Sequence, residues 1–279
     1  MSYKTILAVL QSKTDAERVL DCALHLATQF SAHIIGVHSE AIPMPYVSPM
    51  GFPDTDFIAT SSQINEQRTA EIKNIFESRA QREGISFEWQ AMQSVSGDSA
   101  IGAVSVARTC DLVMVQQSDP QGDPASMTNV ETLLFESGRP VLFVPYAIPQ
   151  PSGFNKVLIA WNGTQQAARA VFDALPFILK AEETIILSLD APDDDRESAA
   201  VAGVDLAATL TRHGAKVVVV SQTSGGIGAG EAIENHIAET GANLLVMGAY
   251  SQSWLKQFFF GGATRTVLKS MSVTTLMSR

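Results

Sequence analysis

One pattern occurs twice along the chain. Lys4-Thr5-Ile6-Leu7-Ala8-Val9 matches Lys156-Val157-Leu158-Ile159-Ala160-Trp161 at an offset of 152 residues. The same offset sets Val19 on Val171, Asp21 on Asp173 and Leu26 on Ile178, and Cys110–Val115 (CDLVMV) lies over Ala242–Met247 (ANLLVM) at an offset of 132. At roughly 100–200 residues per domain, a chain of 279 residues holds two. The repeats meet at Ile148-Pro149-Gln150-Pro151-Ser152-Gly153-Phe154, a Pro/Gly/Ser linker. Domains are therefore expected at 1–148 and 154–279. The first is lengthened by Ile42–Phe57, whose four prolines predict a long loop.

Within each repeat, short apolar runs alternate with stretches of helical periodicity. The first repeat predicts strands at Thr5–Val9, His33–Val37, Phe87–Met92, Leu112–Val115 and Val141–Val144. The second predicts them at Val157–Trp161, Thr184–Leu189, Lys216–Val220, Leu244–Met247 and Thr274–Met277. Runs such as VVVV and LLVM are apolar throughout, as in a parallel sheet covered on both faces. The fold class expected is α/β: two tandem, doubly wound, mainly parallel five-stranded sheets of Rossmann-like type. Such sheets take ligands at the carboxyl ends of their strands.

Composition narrows the function. No run approaches the roughly 18 apolar residues of a membrane span, and the start shows no signal-peptide core. A cytoplasmic protein without a membrane partner is expected. The net charge of −10 argues against nucleic acid. Cys22 and Cys110 form no CxxC pair, and the five histidines lack metal spacing. Charge is unevenly spread: nothing after Glu239 is acidic, while Lys256, Arg265, Lys269 and Arg279 follow.

That cationic tail contains VMGAYSQSWLKQFFFGGATRTVL, Val246 to Leu268. Gly248 ends a predicted strand, and Gly261-Gly262-Ala263 lead into a helix predicted to begin near Thr264. Two explanations fit glycines at both ends: turn geometry, or backbone N–H groups that must approach an anion. A helix N-terminus offers unpaired N–H groups and partial positive charge, and glycine removes the Cβ that would hold a phosphate away. Ser251 and Thr264 add hydroxyls. Trp254 and Phe258–Phe260 are expected to pack beneath the loop.

This arrangement resembles the universal stress protein family, which carries a G-2x-G-9x-G-[S/T] element between its fourth strand and last helix. Gly248, Ser251 and Gly261 keep the spacing, with Ser251 at a usual glycine and Gly262 at the usual Ser/Thr. Asn162-Gly163-Thr164 stands where the family has an Asp-Gly-Ser-like turn. The resemblance spans both halves. It implies a pocket for ATP or AMP, with Mg as an optional companion, bounded by Ala160, Asn162, Leu189, Met247, Gly248, Ser251, Gly261, Gly262, Ala263 and Thr264. It implies a stress-response regulator that is not a catalyst; a slow ATPase and a scaffold that binds nothing small are the alternatives. It also implies pairing through last strands, here 141–144 with 274–277 as an internal pseudo-dimer, with a homodimer of chains as a further option.

The first repeat departs from this pattern. Leu10 takes the place of Asn162, the motif spacing is missing, and Asp111, Asp119, Asp123, Glu131 and Glu136 face a single Arg139, a balance expected to repel phosphate. Only the second repeat is expected to bind nucleotide. GGIGAGEAI, Gly225–Ile233, is not GxGxxG and predicts a βα turn in preference to a phosphate contact, and Asp193-Asp194-Asp195 predicts a solvated loop in preference to a cation site.

Overall fold

The computed structural model describes residues 2–44, 55–119, 121, 128–148, 153–190, 203–249 and 262–279. These form two compact units, Lys4–Ser137 and Met1–Tyr3 with Gly138–Arg279. Packing thus divides the chain ahead of the 148–154 linker.

The Lys4–Ser137 unit has strands β1 (Thr5–Val9), β2 (His33–Ala41), β3 (Phe87–Ser94) and β4 (Leu112–Gln116). They lie in the order β3-β2-β1-β4, all parallel. Helices α1 (Lys13–Phe30), α2 (Thr55–Arg82), α3 (Ser99–Ala107) and α4 (Val130–Glu136) connect them. The helix α2 begins at Thr55, so the predicted loop ends earlier than Phe57; its central part, 45–54, lies outside the described residues. A capping box starts α1: the Ser12 hydroxyl accepts from Asp15 N at 3.3 Å, and the Asp15 carboxylate accepts from Ser12 N at 2.6 Å. Burial pushes the Asp15 carboxyl above its ordinary value, against those hydrogen bonds.

The Gly138–Arg279 unit has strands β5 (Val141–Val144), β6 (Lys156–Ala160), β7 (Glu183–Leu189), β8 (Val217–Gln222), β9 (Leu244–Gly248) and β10 (Thr274–Ser278). Its helices are α5 (Gln165–Asp173), α6 (Leu175–Ile178), α7 (Val204–Arg212), α8 (Ala229–Thr240) and α9 (Ala263–Ser270). The order β5-β10-β9-β6-β7-β8 is parallel except at β5. There Thr275, Leu276 and Met277 oppose Phe143, Leu142 and Val141 in antiparallel register, the strand pairing expected from the sequence.

All ten predicted strands form, with ends moved by up to a few residues. The apolar run of β9 is buried as expected. That of β8 is not: β8 is an edge strand, and Val218 and Val219 are 46% and 36% exposed. An apolar run alone does not separate an edge strand from a central one. Among the described residues no helix is long and apolar enough to cross a membrane.

Helices α8 and α9 approach each other closely. A Cβ built on Gly230 would lie 2.6 Å from Thr266 Cβ and 3.3 Å from Ala263 O. Midway along α8, Glu234 Oε2 accepts from the Oγ of Ser272, just past the end of α9, at 2.5 Å. Burial raises the Glu234 carboxyl above its ordinary value of 4.5, while the bonds from Ser272 pull it down.

Two consequences are measurable. Gly230→Ala forces Thr266 to move and is expected to lower the free energy of unfolding by about 1–3 kcal/mol, as for overpacking in general. A urea midpoint unchanged from the parent contradicts this close packing. The raised Glu234 binds its proton more readily folded than unfolded. Its contribution to stability is present at low pH and is lost as pH rises above the ordinary glutamate range through the folded-state value. Glu234→Gln is therefore expected to flatten that part of the stability–pH curve, read from denaturant midpoints; an identical slope in both proteins contradicts the assignment.

Candidate functional site

At the carboxyl edge of the second sheet, β6 ends at Ala160 and turns through Asn162 and Gly163 into α5. Asn162 Oδ1 accepts from Thr164 Oγ1 at 2.7 Å and from Thr164 N at 3.3 Å. Gly163 sits between them at φ +70°, where a side chain is strained. Thr164 in turn caps α5, its hydroxyl accepting from Ala167 N at 3.3 Å. Ala160 and Met247 are register partners on β6 and β9. Leu189 ends β7, and the next residue, Asp190, accepts from Ser224 N at 2.8 Å. Those Ser224 bonds hold the Asp190 carboxyl below its ordinary range.

Gly248 lies where β9 meets the first turn of α5. A Cβ there would be 2.6 Å from the Gln166 carbonyl carbon and would run into the Ala167 amide. For this glycine, close backbone packing is the reason for its identity. The partner positions Ser251 and Gly261 lie outside the described residues, as do Lys256, Trp254, Phe258–Phe260 and Asp193–Asp195.

Gly262 is the N-cap of α9, Ala263 its first residue, and Thr264 is buried in its first turn. The β8–α8 turn holds Gly225 and Gly226 at φ +63° and +87°, and Gly228 is the N-cap of α8. Gly228 and Gly262 have no side chains with which to cap the N–H groups that follow them. Since Gly230 rests on Ala263, these two helix starts lie side by side. The site residues from Gly262 to Thr264 are thereby joined by Gly228–Gly230, for which the sequence favoured a βα turn over a phosphate contact. Their pairing depends on how α8 meets α9, and no spacing within either segment encodes it. Among the described residues no three His, Cys, Asp or Glu side chains gather into a metal-holding group.

The same edge of the first sheet is built differently. Leu10, counterpart of Asn162, is fully buried. Gln11, counterpart of Gly163, donates from Nε2 to Gly97 O at 3.0 Å and accepts at Oε1 from Ser99 N at 2.7 Å. Ser99 Oγ donates to Leu10 O at 3.1 Å and accepts from Ser39 N at 2.9 Å. Asp98 caps α3, its Oδ1 accepting from Ala100 N at 2.8 Å and Ile101 N at 3.3 Å. Its Oδ2 accepts from Asn129 N, just ahead of α4, at 2.7 Å. Gln11, Asp98 and Ser99 were missed in the sequence; aligning the residues before the helix that follows each repeat's third strand, Asp98 with Gly228, would have raised them.

Asp111 does not add its charge to that edge, contrary to the expectation from the sequence. Asp111 accepts from Lys4 N at 2.7 Å and Thr5 N at 2.9 Å. It stands at the amino end of β1, because it precedes β4 rather than following it, and faces away from the ligand edge. Asp123 lies outside the described residues.

Comparison with known proteins agrees with this architecture. Residues 153–279 match the model of the universal stress protein family. A universal stress protein from Archaeoglobus fulgidus shares 16% identity over 99% of this chain and 96% of its own, with a TM-score of 0.65. A candidate universal stress protein of Pseudomonas aeruginosa shares 15% identity over 99% and 93%, with a TM-score of 0.63. An Arabidopsis thaliana protein of the family, solved with AMP bound, covers 51% of this chain and 91% of its own at 15% identity and a TM-score of 0.35. No curated protein matches the chain. Residues 153–279 thus resemble the universal stress protein family, and the chain as a whole shares the fold of the two full-length structures.

Proposed function

We propose that the second repeat binds an adenine nucleotide, AMP or ATP, at the carboxyl edge of its sheet, and that occupancy makes the chain a non-catalytic regulator of a stress response in the cytoplasm. The observation that carries this reading is the pair of adjoining helix starts. Both α8 and α9 open on glycine, their first turns touch, and the segment from Thr240 to the end of the sequence is free of acidic residues. Backbone N–H groups and the helix dipoles there favour negative charge.

In this reading the phosphates lie against Gly261, Gly262, Ala263 and Thr264, with Ser251 on the same loop. Ala160, Leu189, Met247 and Gly248 bound the crevice from the strand ends. Asn162 lines it without bringing a charge of its own, its Oδ1 already accepting from Thr164. A catalytic reading needs a carboxylate to hold Mg²⁺ and orient an attacking water. Asp190 is the nearest acid by sequence to a strand end, and its Oδ1 is engaged by Ser224. The proposal therefore assigns sensing rather than turnover, with Mg accompanying ATP as part of the ligand. Each chain is proposed to hold one nucleotide, the first repeat serving as a structural partner; homodimerisation is a further expectation of the family resemblance.

Isothermal titration of the full chain with AMP and with ATP plus Mg²⁺ tests this. Saturation at one nucleotide per chain is expected, and Gly261→Val is expected to weaken binding at least about tenfold, the equivalent of 1.4 kcal/mol. Absence of binding, or an unchanged affinity in the variant, contradicts the site. Phosphate release with and without Mg²⁺ is expected to stay at the level of a protein-free control; sustained release from ATP would favour the enzyme.

A further inference from the structure

We propose that Asp98 is the first repeat's own anion: its carboxylate bridges the start of α3 and the residue ahead of α4, so that this edge is permanently filled and takes no phosphate. This inference stands on the first repeat and does not require the second to bind nucleotide. Asp98 is 9% exposed, and both of its oxygens accept backbone hydrogen bonds. Oδ1 takes Ala100 N and Ile101 N of α3, and Oδ2 takes Asn129 N across the edge. Asn129 is the N-cap of α4, and Asp98 Oδ2 accepts from that residue's own N–H, tying the entry of α4 to the start of α3.

A carboxylate that collects N–H groups from two separate segments does what a bound anion does at helix starts. It also has company that closes the edge. The Gln11 side chain reaches from the end of β1 to Gly97 O and Ser99 N, and Ser99 is itself fully buried between Leu10 O and Ser39 N. In the second repeat the corresponding positions are Gly163 and Gly228, which carry no side chain. The two edges therefore differ by two insertions of polar matter into one location, and Asp98 is the charged one.

Thermal unfolding of the full chain tests the proposal with two variants. Asparagine caps a helix as well as aspartate does, so Asp98→Asn keeps the bonds to α3 and replaces the anion facing Asn129 N. It is expected to unfold about 2–4 °C below the parent; an equal Tm overturns the proposal. Asp98→Gly reproduces the Gly228 arrangement. Its Tm is expected to fall further and to regain at least half of the loss in sodium formate or inorganic phosphate, beyond the shift that the same salts give the parent. Equal salt-induced shifts in variant and parent overturn the proposal. If Asp98→Gly does not fold, the Asp98→Asn comparison decides alone.

Discussion

Every helix that starts at the carboxyl edge of a parallel sheet leaves N–H groups without an intrahelical acceptor. How each repeat satisfies those groups organises the rest of this molecule. The first repeat does so with side chains: Ser12 and Asp15 at α1, Asp98 at α3, and Gln11 across the gap between them. The second does so with Thr164 at α5 but places glycine ahead of α8 and α9. The strands beneath follow one pattern, and both cores are built mainly from apolar side chains. The difference in function proposed for the two repeats lies in a few cap positions at one edge.

Close packing and ligand access make competing demands on glycine, and the structure separates them. Gly248 and Gly230 are glycines because backbone or a β-branched side chain comes within about 3 Å of where a Cβ would stand. These contacts bring β9 against α5 and α8 against α9, and so create the edge. Gly228 and Gly262 have a different role. Their φ values of −66° and −54° suit any residue, and among the described residues nothing lies within 4 Å of a Cβ built at Gly228. Backbone strain does not require glycine there; in the proposed reading, access to the N–H groups is the reason for it.

Much of this was legible in the residues. Strand positions follow from apolar runs between turn residues, and the two-fold repeat exposes the topology because sequence copies fold alike. The pairing of β5 with β10 was also readable, through the family resemblance. Three features were not. The exposure of Val218 and Val219 depends on β8 lying at an edge, and edge position is a property of strand order rather than composition. The misplacement of Asp111 came from counting charge along the chain, when a residue ahead of a parallel strand and one behind it lie at opposite ends of the sheet. The plug of Gln11, Asp98 and Ser99 joins residues about 90 apart in sequence, held by hydrogen bonds that no local pattern announces.

The central claim is that the second repeat presents bare helix starts to an anion while the first has filled its own. A crystal structure of the full chain grown with AMP tests it most directly. The account predicts ligand density at one place, with the phosphate against the amides at the start of α9 in residues 153–279. Phosphate density beside Gln11 and Asp98, or a second repeat whose α9 start is closed by protein side chains with AMP excluded, would contradict it.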